Sequence, residues 1–161
     1  MYYSDKNFIS IEDELEIIKL NIELEQLRFK NKFSYELMMS NDVDVENTFI
    51  PSLITQPFIE NAIWHGLLPL NGERNAELKI RIYKKDNLPI IEIEDNGIGR
   101  KERLVKGHIS KGTKLVEDKI ESLNKLSQSS NYRLLVNDLN DENGNSVGTK
   151  VLIQLDDIKY E

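Results

Sequence analysis

The chain has 161 residues and a mass of 18.7 kDa, enough for one well-cored domain and too little for two ordinary ones. The absence of cysteine removes disulfides, thiolate zinc sites and cysteine nucleophiles together, so any chemistry rests on oxygen and nitrogen groups. A net charge of -7 argues against general nucleic-acid affinity; with no apolar run of about 18 residues and no signal-peptide core behind Met1, the chain is expected to be soluble and intracellular.

Ser10, followed three residues later by Asp13, resembles a capping box and opens a helix predicted over residues 11 to about 30, a stretch without glycine or proline. Ile11, Leu15, Ile18 and Ile22 form one apolar stripe on it and Leu20, Leu24 and Leu27 a second, offset one. Two stripes imply two contacts, the domain and a neighbouring helix; one wide core-facing stripe is the alternative. Residues 33–39 favour a strand, with Asn41 and Asp42 as the turn after it. Pro57 can open a helix that runs toward Gly66 as its stop. Residues 78–83 and 91–94 alternate with period two around Asp86-Asn87, which predicts an antiparallel hairpin. A further helix is predicted from residue 114 to about 126, with Leu115, Ile120 and Leu123 buried, and two closing strands at 132–136 and 147–155, joined across Asn143-Gly144. The order gives an α+β class: a mostly antiparallel sheet with helices packed on one face.

Four stretches can carry chemistry. At the end of the second hairpin strand the alternation breaks into Asp95-Asn96-Gly97-Ile98-Gly99, where two glycines allow close approach of a ligand and Asp95 offers acceptors to an exocyclic amine such as that of adenine. A turn capped by Asp95 is the equal alternative. In Gln56-Pro57-Phe58-Ile59-Glu60-Asn61-Ala62-Ile63-Trp64-His65-Gly66, Asn61 and His65 lie four apart, on one helix face, and an amide oxygen suits magnesium beside phosphate. The alternative makes Glu60 and Asn61 exposed helix polars and sets His65 against the helix dipole. Ser110-Lys111-Gly112-Thr113 opens a helix whose free amides make a phosphate site or a simple cap. Gly148-Thr149-Lys150-Val151 opens the last strand. Between Arg100 and Lys114, six basic residues (Arg100, Lys101, Arg103, Lys106, Lys111, Lys114) face one acid, Glu102, which suggests a local anion site or a solvated loop.

In this order and spacing, the stretches resemble the ATP-binding domain of sensor histidine kinases of the LytS/YehU type, in the superfamily of gyrase, heat-shock protein 90 and the mismatch-repair ATPases. Ile50-Pro51 through Gly66 resembles the family's N box, Glu94 to Gly99 its first glycine box, Gly112-Thr113-Lys114-Leu115 its second, and Gly148-Thr149-Lys150-Val151 its closing strand. Leu24-Glu25-Gln26-Leu27-Arg28-Phe29 is similar to the helix that enters the domain.

The resemblance implies a two-layer α/β sandwich of the Bergerat type, with residues 1–32 an entry helix from a dimerisation region and 33–161 the ATPase domain. It implies that ATP is bound with Mg2+: Asp95 accepting from the adenine amine, Gly97 and Gly99 letting the loop close over the base, Thr149 lining the adenine pocket, and Asn61 holding the metal. Glu60 would be the general base or organiser and His65 would sit near the phosphates, with Lys111, Gly112 and Thr113 at the phosphate-facing helix. The partners implied are the chain's own upstream phosphoacceptor region and a response regulator of the LytTR type, in a homodimeric, inner-membrane sensor of which this is the cytoplasmic part. Lys114, Glu117 and Lys119 depart from the family's pattern, and neither His65 nor His108 has the Asn-Pro-His-Phe context of an acceptor histidine. The chain is therefore expected to be a fragment that does not phosphorylate itself. A nucleotide-binding interaction module without kinase activity and an anti-sigma-type serine kinase are the other readings at this point.

Overall fold

The structure is a computed structural model and describes residues 7–100, 111–126 and 131–156. β1 (Phe8–Ser10) runs into α1 (Ile11–Arg28), where the Ser10 hydroxyl accepts the Asp13 amide at 3.0 Å as the predicted cap. The helix stops two residues short of the expected end, because Lys30 and Asn31 take left-handed backbone (φ 53° and 55°) and turn the chain into β2 (Phe33–Met39). β3 (Phe49–Pro51) pairs antiparallel with β1 in a small separate sheet, Ile9 opposite Ile50. Three residues are too few for a period to show, so neither strand was predicted.

α2 (Gln56–Glu60) opens with Pro57 in its first turn and does not stop at Gly66. It continues as a π-helical segment, Asn61–Leu67, and a 3₁₀ turn, Leu68–Leu70, and ends only where Asn71 and Gly72 turn left-handed. The hairpin of β4 (Ala76–Lys85) and β5 (Leu88–Asp95) closes through Asp86 and Asn87, both at positive φ as a tight two-residue turn requires. α3 (Lys111–Leu126) buries Val116 and Ile120 and leaves Leu115 69% exposed, correcting the expected burial of Leu115. At about 100° per residue, Val116, Ile120 and Leu123 share a face and Leu115 falls outside it. β6 (Arg133–Asn140) and β7 (Ser146–Gln154) form a second hairpin.

The main sheet has the order β2-β4-β5-β7-β6. β2 and β4 are parallel, joined by the crossover through β3 and α2, and the other pairs are antiparallel. On the inner face Leu78, Ile80, Ile82, Ile91, Ile93, Val151 and Ile153 form one core with Ile11, Leu15, Ile18 and Ile22 of α1, Ile59 and Ile63 of α2 and its continuation, and Ile120 of α3. The second stripe of α1 is outside it: Leu20, Leu24 and Leu27 are 61%, 62% and 75% exposed, so the helix does not bury one wide stripe here. Across the outer face the register sets Glu36, Lys79, Glu94, Lys150 and Asn137 side by side on successive strands, so charges alternate. Lys150 reaches Glu94 at 3.0 Å and Arg81 reaches both Glu92 and Glu94, so ion pairs tie the central strands together on this face.

Candidate functional site

Asp95 ends β5 on the inner face, directly opposite Thr149 of β7, and the two are 3% and 4% exposed. A buried carboxyl and hydroxyl thus stand side by side where the strands leave the core. Asp95 Oδ1 accepts the Gly97 amide at 2.9 Å, so the turn-capping alternative is realised.

The loop after Asp95 is fastened on both sides. Asn96 donates to Asn75 O at 2.6 Å and accepts from the Glu77 amide at 2.8 Å, lengthening β4's grip on the loop. Arg74 donates to Asn96 O and Gly97 O at 2.9 and 2.8 Å. On the helix side, the Ile98 amide donates to Gly66 O at 3.1 Å. Gly66 and Gly97 lie backbone against backbone: a Cβ on Gly97 would overlap the Gly66 main chain, and one on Gly66 would come within 2.8 Å of Asp95 Oδ1. Gly66 is therefore a contact residue, not the stop expected from its position. Gly99 has φ 79°, which a side chain rarely adopts. Arg100 then forks onto Asp138 (2.8 and 3.1 Å) and Val136 O, fixing the loop's exit to β6.

The second group of residues lies along α2 and its π continuation. An i→i+5 hydrogen bond puts more than four residues in a turn, so the five-apart pair Glu60 and His65 can share a side with the four-apart pair Asn61 and His65. Pro57, Glu60, Asn61, Trp64 and His65 line one pocket of about 490 Å³, and Lys111 and Gly112 from the start of α3 close it. The Asn61 amide nitrogen donates to Thr113 Oγ1 at 3.0 Å, joining the two helices and orienting the amide. Gln56 donates to Glu60 Oε1 at 3.1 Å. Trp64 is met edge-on by Phe29 at 4.8 Å, and the Arg28 guanidinium lies 4.7 Å from its ring, so the end of α1 touches the wall of this pocket.

These side chains suit a nucleotide: a buried polar pair at the strand end, and an amide, a carboxylate, an imidazole and an ammonium around the pocket. No protein-family model matches the chain. In sequence it is 31% identical over 94 residues to the sensor protein LytS of Bacillus cereus and 40% identical over 96 residues to the sensor histidine kinase YpdA of Escherichia coli. Its homologues are sensor histidine kinases. The matches cover 58% and 59% of this chain but 15% and 16% of those proteins, so the chain spans under a fifth of their length. In fold it is similar to the catalytic domain of histidine kinase ThkA, with TM-score 0.58, 13% identity and coverage of 95% and 97% of the two chains. The histidine kinase domain of the Erythrobacter litoralis blue-light kinase EL346 gives TM-score 0.56 at 16% identity, covering 91% of this chain and 65% of that one. The sheet and helices above thus have the fold of these two histidine-kinase domains.

On this kinase fold the predicted residues fall into two groups. Glu60, Asn61, His65, Lys111 and Gly112 come together, with Thr113 bonded to Asn61. Asp95, Gly97 and Thr149 come together at the strand ends, and Gly99 packs against Ser146 and Gly148 at the start of β7. The basic window divides: Lys111 lines the pocket, Arg100 is held by Asp138 and Lys114 pairs with Asp118 at 2.9 Å. Lys101, Arg103, Lys106, His108 and Ser110 lie outside the described residues. Lys119 donates to Ser52 O at 2.7 Å; burial pushes its ammonium below the ordinary lysine value against an upward pull from Glu14. With a single acceptor, a guanidinium's second donor is not needed there. Sequence reasoning does not find Arg74, the anchoring of Asn96 to β4 or the Gly66–Gly97 contact, because each acts through a partner distant in sequence.

Proposed function

We propose that this chain is the ATP-binding catalytic domain of a two-component sensor histidine kinase, delivering the γ-phosphoryl group of ATP to a histidine on an upstream region. The observation that carries the reading is the convergence of Glu60, Asn61, His65 and Lys111 on one pocket, within the fold of a histidine-kinase catalytic domain. Asp95 would accept from the adenine amine, Thr149 would line the base, and Gly97 and Gly99 would let the loop close on it. Lys111, Gly112 and Thr113 would face the phosphates, with His65 beside them.

The residues fit magnesium in one particular way. Among the described residues no three His, Cys, Asp or Glu side chains are grouped as a metal cage. Asn61, with its nitrogen committed to Thr113, leaves one hard oxygen, which suits an ion that takes the rest of its shell from phosphate and water. Bound there, Mg2+ would neutralise phosphate charge. The acceptor imidazole nitrogen would attack the γ-phosphorus as the bond to the β–γ bridging oxygen breaks and ADP leaves, with Glu60 orienting the imidazole or taking its proton.

The acceptor would come from the rest of a homodimeric sensor, docked on the exposed Leu20, Leu24 and Leu27 of α1. Residues 1–32 would then be the entry helix and 33–161 the ATPase domain by function, although α1 and the sheet share one core. A response regulator, of LytTR type, would take the phosphoryl group next. ThkA is known in complex with the response regulator TrrA, which supports a partner of that class. No described helix is long and apolar enough to cross a membrane; the attachment to an inner membrane would lie with the rest of the sensor.

The test is nucleotide binding and phosphoryl transfer to a supplied dimerisation region. Magnesium-ATP should bind in the micromolar range and Asp95→Asn should weaken it at least about tenfold, the value of one hydrogen bond to a charged group. Glu60→Gln should retain binding and lose roughly a hundredfold in transfer rate. Phosphohistidine on the isolated chain would contradict an acceptor held elsewhere, and binding without any transfer would leave only an interaction module.

A further inference from the structure

We propose that the cavity between α1 and α2 is a binding site for a small organic cation, an alkylammonium or guanidinium group held by Glu14. The cavity has a volume of about 100 Å³ and is separate from the nucleotide pocket, with Glu60 lining both. Its wall is apolar along Ile18, Ile59 and Ile63 and carries three carboxylates, Glu14, Glu25 and Glu60, with no basic side chain among the described lining residues.

Glu14 is 2% exposed. One oxygen of its carboxyl accepts the Thr55 hydroxyl; the other, Oε2, is buried without a hydrogen-bond partner, as is Glu25 Oε2. The ammonium of Lys119 feels the charge of Glu14, but it is bonded to Ser52 O and is not part of the cavity wall. A buried acceptor without a donor is costly, and a wall of acids without a base favours a cation over any other donor. Glu14 and Glu25 stand eleven residues apart, about 16 Å along the helix, so one small ion cannot meet both. Glu14 is the head-group position, and the isoleucines take an aliphatic stem.

Chemistry and size narrow the ligand. Among the described residues no cluster of His, Cys, Asp and Glu could cage a metal, and the apolar wall of Ile18, Ile59 and Ile63 favours a cation with an aliphatic stem. A cavity of about 150 Å³ takes benzene, whereas drug-sized ligands need roughly 300 Å³ or more, so this one suits about four to five heavy atoms. The inference stands apart from the nucleotide reading, and its readout needs no kinase activity.

The test is methyl NMR on the full chain titrated with n-butylammonium and with n-butanol, its neutral isostere. Butylammonium should shift the Ile18, Ile59 and Ile63 methyls saturably, with butanol at least about tenfold weaker. Glu14→Gln should erase that difference while leaving butanol binding unchanged. Glu25→Gln, at the far end, should weaken the cation several-fold and keeps the test sharp should E14Q fail to fold. A blocked lysine that binds better than butylammonium would place the cation on a partner protein, and the reverse order would indicate a free amine; either supports the site. Equal binding of butanol and butylammonium, no saturable binding, or affinity unchanged in the variants that fold would overturn it.

Discussion

Asp95 shows how one buried carboxyl at a strand end organises the loop that follows it. Its carboxyl caps the Gly97 amide, and the two glycines 66 and 97 let helix and loop close on it without side chains between them. Gly97→Ala should therefore cost about 1–3 kcal/mol of stability, as overpacking does, and weaken nucleotide binding more than a remote mutation of equal cost. Denaturant melts beside a nucleotide titration measure both; an unchanged melt would sink the contact argument. At Glu94, burial pushes the carboxyl up, but the hydrogen bonds and charges of Lys150 and Arg81 outweigh it and hold it below the ordinary 4.5. A depressed carboxyl stabilises the fold above its unfolded value, and this contribution is lost as pH falls through the folded value. Glu94→Gln should thus be less stable than wild type near pH 7, by under about 1 kcal/mol because solvent screens this part-exposed group, with the gap closing as pH falls below the ordinary 4.5. Melts across that range check the sign, and a gap that grows in acid would refute it.

At the scale of the element, helical phase decides what α3 contributes. Val116 sits in the core and Leu115 does not, although both are apolar and adjacent. Val116→Ala should cost about 1–2 kcal/mol and Leu115→Ala less than about 0.5 kcal/mol. Equal costs in thermal melts would place the helix in another rotation. The π-helical turn is the other element that matters, because it gathers Glu60, Asn61, Trp64 and His65 around one pocket. Trp64, held by Arg28 and Phe29, brings the end of α1 to that same wall.

For the whole molecule, α1 shares the core of the sheet. Ile11, Leu15, Ile18 and Ile22 pack with the sheet's inner face, while Leu20, Leu24 and Leu27 remain outside. Ile22→Ala should lower the stability of the entire domain by about 2–5 kcal/mol in a single transition, whereas Leu24→Ala should leave it nearly unchanged. A biphasic melt, with α1 leaving first, would show the helix to be a separate unit.

The sequence by itself determined the strands that alternate, the hairpin turn at Asp86-Asn87, the Ser10 cap and the α+β class, because each is written in neighbours a few residues apart. The motif residues were legible too, as short strings in a recognisable order. Tertiary structure alone decided that Gly66 is a packing contact, that Arg100 belongs to Asp138 while Lys111 faces the pocket, and that β1 meets β3. Each of these depends on a partner tens of residues away, brought near by the register of the sheet and the packing of helices on it. The parallel pairing of β2 with β4 has the same origin: local pattern fixes which residues face inward, but strand order is settled only when one shared core has to be closed.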